Sequence, residues 1–238
     1  DLSNLNTKKV TNMKGLFYRC FKLSTIIFGD NFDTSQVTDM SSMFEGVKSI
    51  TKIDSESFDT SKVKTMSKMF SMCESLQIIS TSKFNTENVE DMSYMFEGVS
   101  KVYFTNADNF NTKNVKTFEG MFERSDYLTF LDLNNYDTSS AENMKRMFKE
   151  CRNIRGIKID KWKTDKVIDM SNMFDSCEKL EKIEISTFNT TSVKYMNEMF
   201  HGCSSLVSLN VANLNTENVE DMSDLFFDIK VKFLSLSW

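Results

Sequence analysis

The sequence predicts an α/β repeat solenoid of about nine turns, with one short parallel strand and one short helix per turn. Three observations predict it. Thr7, Thr34, Thr60, Thr86, Thr112, Thr138, Thr164, Thr190 and Thr216 mark one position, spaced by 27 residues once and by 26 thereafter. Ten residues beyond each stands a Phe, from Phe17 and Phe44 through Phe200 and Phe226, so neither position varies in any copy. Between Thr and Phe the apolar residues follow helical spacing, and beyond Phe they follow the pattern Leu-x-x-Leu-x-Leu. Self-similarity at such a period is the signature of stacked units, none of which buries its apolar face alone.

The eighth copy shows each element in order. It opens Phe188-Asn189-Thr190, and the middle position is Asn or Asp in every copy except at Lys163. Such residues close turns through local side-chain bonds. The Thr has two possible roles, capping a helix N-terminus or hydrogen-bonding along the stack, and spacing does not choose between them. Val193, Met196, Met199, Phe200 and Cys203 then fall on a stripe about 120° wide at 100° per residue, which predicts a half-buried helix of about three turns. Gly202, like Gly46 and Gly98, is expected to stop it in the left-handed region. Leu206, Leu209 and Val211 predict a short strand. An extra residue near Gly29-Asp30-Asn31 predicts a small bulge in the first copy, and the last copy is one residue short. The chain is read as one array, 1–238, cut from a longer protein. Leu2 fits the end of a preceding copy, the first residue is Asp1, and Trp238 is placed over the C-terminal core.

Composition excludes several classes. Hydrophobic residues make up 40 %, enough for a core and against disorder, and no run is long enough to span a membrane. A net charge of −5 argues against nucleic acid as a partner. Cys20, Cys73, Cys151, Cys177 and Cys203 share one repeat position, which Val47 and Val99 fill elsewhere. A site that accepts Val is apolar, so these are expected to be structural thiols. Stacked strands lie roughly 4.8 Å apart, so Cys151, Cys177 and Cys203 on successive turns approach disulfide reach. The methionine stripe is core packing, not a thioether metal site, which needs an open, partly polar pocket.

The frame at 32–46, FDTSQVTDMSSMFEG, resembles the BspA-like leucine-rich repeat family, which includes surface proteins and lipoproteins of mycoplasmas and other bacteria. The resemblance extends over all nine copies. It implies a leucine-rich-repeat-like solenoid at the cell surface, with lipid anchoring through a segment outside this chain as one of the modes found in the family. It also implies adhesion, or binding of host or matrix proteins. The motif residues are scaffold positions, so they carry structure and no site.

Neither catalysis nor a cofactor or metal is expected, because repeats offer ladders instead of a unique constellation. His201 replaces a varied surface position and is read as an exposed helix-end residue. Asp39, Glu90-Asp91, Asp169 and Glu220-Asp221 stand in non-adjacent copies, where acids favour a helix N-terminus. Asp33 and Asp59 are neighbours, but turn-making explains them better than a metal. Function then rests on the exposed strand face. Ile78, Phe104 and Phe130 fall on three successive turns and form a candidate protein-binding patch, rimmed by Lys52, Asp54, Asp132 and Lys158. The alternative is a passive spacer or antigenically variable coat array with no dedicated ligand.

Overall fold

A computed structural model describes residues 1–81, 83–99, 110–231 and, for the backbone, 233–235. The windings stack as the period requires. The nine phenylalanines from Phe17 to Phe226 form one column, with ring centroids 5.3 Å apart at Phe17–Phe44 and 6.2 Å apart at Phe200–Phe226. The rings are nearly parallel, 4° between planes at Phe44–Phe70 and 3° at Phe122–Phe148. Around this column one turn buries Trp162, Thr164, Val167, Met170, Met173, Phe174, Cys177, Leu180, Ile183 and Ile185. Each large apolar side chain so buried contributes about 1.5–3 kcal/mol.

Among the described residues seven short strands follow the Leu-x-x-Leu-x-Leu segments: β1 (Lys52–Ile53), β2 (Ile78–Ile79), β3 (Phe130–Asp132), β4 (Gly156–Lys158), β5 (Lys182–Ile183), β6 (Ser208–Asn210) and β7 (Phe233–Ser235). All pairings are parallel, β1 with β2, β3 with β4, β4 with β5, and β6 with β7. Lys52 pairs with Ile78 and Phe130 with Gly156, a step of one repeat, whereas Ser208 pairs with Phe233, the step shortened by the missing residue. Where the first copy carries its extra residue, the chain makes a turn at residues 30–31, and Gly29 packs on the backbone of Ser3; a Cβ at Gly29 would stand 2.3 Å from Ser3 Cα.

The expected helix is absent: among the described residues there is none. The α half of the α/β expectation is therefore wrong, and the molecule is a β-solenoid. From Met196 to Cys203 the backbone instead alternates two kinds of hydrogen bond. The amides of Met196, Glu198, Phe200 and Gly202 donate to carbonyls of the next turn, at Asp221, Ser223, Leu225 and Phe227. The amides between them, at Met199, His201 and Cys203, close tight turns onto Met196, Glu198 and Phe200. A parallel bridge ladder begins each such segment, running from Asn12 through Asp39, Thr65 and Asp91 to Asp221.

Geometry explains why the helix loses. Phenylalanines less than 6.5 Å apart in a column leave no room for helices about 10 Å across on successive turns. The turns place two residues per winding in the left-handed region, four apart: Ser42 and Gly46, Lys68 and Met72, Glu198 and Gly202. The left-handed backbone expected at Gly202 is real, but it closes a turn instead of ending a helix.

The side chains left open by the sequence now have roles. Every threonine of the column from Thr7 to Thr190 donates its hydroxyl to a carbonyl of the next turn, as from Thr164 to Asn189 (2.8 Å) and Thr190 to Asn215 (2.7 Å). The stack-bonding role is the one observed. The preceding Asn or Asp accepts the amide two residues on, as at Asp33–Ser35 (2.8 Å) and Asp59–Ser61 (2.9 Å), and both carboxyls are held below their usual range chiefly by those serines. Asp39, Asp91, Asp169 and Asp221 do the same for Ser41, Ser93, Ser171 and Ser223. They are turn-closers, not acids at a helix N-terminus.

Candidate functional site

The strand face carries the candidate patch, because strand alternation sends every second side chain outward. The middle residues Ile53, Ile79, Leu131, Ile157 and Ile183 are buried, and their neighbours face solvent. The predicted register therefore holds. Lys52 pairs with Ile78 in one outward column, and Phe130, Gly156 and Lys182 pair in the outward column of the next sheet, with Asp132 and Lys158 paired beside it; Asp54 is exposed two residues beyond Lys52. Ile78 is 47 % exposed and Phe130 55 %. Phe104 lies outside the described residues, as does Trp238.

Phe130 is not an isolated ring. It leans over β4, where a Cβ on Gly156 would touch its Cδ2 at 3.4 Å. Lys158 stands over the ring, 5.5 Å from its centroid, and its ammonium meets Asp132 at 3.2 Å. With both partners about half exposed, this ion pair contributes little to stability; it fixes where charge sits beside the aromatic surface.

A second flank offers a shallow open groove of about 350 Å³, lined by Lys64, Asn88, Glu90, Asn114, Lys116, Ser140, Glu142 and Lys166. Charge alternates along it from turn to turn. Lys116 bonds Glu90 at 2.6 Å, which holds the carboxyl below and the ammonium above their ordinary values.

The cysteines behave as their repeat position predicts, apart from Cys20, which is exposed. Cys73, Cys151, Cys177 and Cys203 are buried free thiols, each directed at the carbonyl of the Phe one turn earlier, 3.0–3.2 Å away. Burial pushes the Cys73 and Cys203 thiols up to about 12 and also raises those of Cys151 and Cys177 well above their ordinary value. Ser125 stands in the fifth copy with the same bond to Phe96, 2.8 Å.

Sequence reading missed one constellation. His201 is not a free surface side chain: its Nδ1 lies 2.8 Å from Oδ1 of Asp175, directly one turn back in the same column, and its ring stacks on Phe227. Asp175 is buried and also receives hydrogen bonds from Ser176 (2.8 Å), Asn172 (3.4 Å) and the Lys149 ammonium. Burial works to raise the Asp175 carboxyl, but the bonds from Lys149, His201 and Ser176 outweigh it and hold it below its ordinary value. Glu198 completes the cluster, and ligand atoms of Asp175, Glu198 and His201 lie within 4.8 Å of one another. The signal was present in the repeat itself, since residues 26 apart are neighbours; Asp175 was simply not paired with His201.

These features define a β-solenoid repeat protein whose variable side chains project from a fixed frame. The chain belongs to the family described as "Mycoplasma protein of unknown function, DUF285", whose model matches residues 1–105, 73–182 and 149–235. No curated protein matches it. Among solved structures it is similar to a leucine-rich repeat protein from Bacteroides ovatus, at 15 % identity and a TM-score of 0.38, covering 95 % of this chain and 78 % of that one.

Proposed function

We propose that the chain is a cell-surface repeat module that binds a protein partner, in adhesion to host or matrix proteins, through its strand face. The observation that carries this reading is the outward pair Ile78 and Phe130, large apolar side chains about half exposed on a regular, tightly stacked frame. Lys52, Asp54, Asp132 and Lys158 supply the charges around them. Aromatic residues ringed by polar groups are the usual anchors of protein interfaces. The resemblance of the repeat to BspA-like leucine-rich repeat surface proteins supports the same class of partner and an anchor outside this chain.

The test is binding of the chain to a panel of purified, immobilised matrix and serum proteins, alongside an Ile78→Ser/Phe130→Ser variant. Both substitutions are on the outward face, so the circular dichroism spectrum should not change. The reading expects at least one saturable partner whose affinity falls about tenfold or more in the variant. A chain that binds none of the panel, or binds equally well without the two side chains, would favour the passive spacer.

A further inference from the structure

We propose that Asp175, Glu198 and His201 form a binding site for one divalent transition-metal ion of the zinc class. The three ligand atoms already converge within 4.8 Å. They are brought together by the two kinds of bond that build the fold. Stacking sets Asp175 one winding from His201, and the tight turn closed by the His201 amide on the Glu198 carbonyl (3.2 Å) sets the other two side by side. An imidazole with two carboxylates is a donor set for zinc and its neighbours, whereas calcium and magnesium take oxygen alone.

The surroundings hold these ligands in place. Asp175 is only 3 % exposed and is oriented by Ser176, Asn172 and Lys149. Asn172 also reaches across to Glu198 Oε2 at 2.8 Å, so one amide positions both carboxylates. Phe227, stacked 5.1 Å from the His201 ring, fixes the plane of the imidazole. Such outer partners are what orient metal ligands.

The geometry needs a small adjustment. Ligands about 2.0–2.2 Å from a tetrahedral ion stand roughly 3.3 Å apart, so the 2.8 Å contact of Asp175 Oδ1 with His201 Nδ1 opens slightly as the ion replaces the shared proton. Lys149 stays on the other carboxylate oxygen. With a neutral imidazole, two carboxylates and one ammonium, the site carries one net negative charge, so affinity is weaker than in a cage without a lysine. Three protein ligands leave a position for water or for a donor from a partner.

The experiment is calorimetric titration of the chain with zinc chloride, run in parallel on His201→Gln, Glu198→Gln and Cys20→Ser, with urea midpoints of the metal-free proteins as the folding control. One equivalent should bind, zinc should raise the midpoint of the wild type, and either ligand substitution should weaken binding about tenfold or more. Cys20→Ser should change nothing. Absence of saturable binding, or binding that persists unchanged in both His201→Gln and Glu198→Gln or disappears in Cys20→Ser, would overturn the proposal.

Discussion

Glu123 is a residue whose side chain the fold serves poorly. It is buried, one of its carboxylate oxygens has no hydrogen-bond partner, and the Arg146 Nε atom is likewise unpartnered. Burial, and then the nearby charge of Glu97, raise its pKa above the ordinary 4.5. A carboxyl with a raised folded pKa costs stability while ionised. That cost is present above the folded pKa, is relieved as pH falls through it, and stops changing below 4.5, where the unfolded chain is protonated as well. Glu123→Gln is therefore expected to raise the urea midpoint at pH 7, by about 1 kcal/mol of stability, with the gain shrinking toward pH 4. A loss of stability at pH 7 would show that the ionised carboxylate is held by something more favourable. His201, by contrast, shows how a residue can be read correctly as a varied position and wrongly as a solitary one. The sequence contained both members of the Asp175–His201 pair at the right interval, but their contact depends on rotamers that no spacing reports.

The element that most distinguishes this chain is the run of tight turns between Thr and Cys. Its inward positions were legible: Val193, Met196, Met199, Phe200 and Cys203 are all fully buried. Its backbone was not, because spacings of 3, 3, 1 and 3 fit one face of a helix and also fit three short turns whose alternate amides bond to the next winding. The discriminating sign was glycine at two positions four apart, Gly15 and Gly120 at one, and Gly46, Gly98 and Gly202 at the other, all with positive φ. A helix stop explains only the second set. Gly120 has an added constraint, since a Cβ there would lie 2.2 Å from the Tyr94 ring, whose hydroxyl bonds Glu119 at 2.7 Å. At Gly46 the nearest atom would be Arg19 Cγ at 3.4 Å, an ordinary contact. Gly46→Ala should thus lose only the left-handed penalty of about 1–2 kcal/mol. Gly120→Ala should lose distinctly more, because the Tyr94 ring must move. Equal urea midpoints for the two variants would contradict the packing described around Tyr94.

At the scale of the whole molecule, the period and the invariant Thr and Phe make the stack legible in the sequence. The strand register, and with it the outward positions of Lys52, Ile78, Phe130, Asp132 and Lys158, followed from a simple alternation. What the pattern did not convey was the distance between windings. Once the rings of Phe148 and Phe174 stand 5.5 Å apart, one turn's backbone must bond directly to the next, and helices are excluded on width alone. The described backbone amides accordingly reach across windings for every second bond of the turn segment. That claim is tested most directly by through-hydrogen-bond scalar couplings in the NMR spectrum of the deuterated, isotope-labelled chain. Couplings should connect the Phe148 amide nitrogen to the Met173 carbonyl carbon and the Phe174 amide nitrogen to the Met199 carbonyl carbon. Couplings from those amides to carbonyls four residues earlier in the same winding would instead mean a helix, and would contradict the stacked β-solenoid.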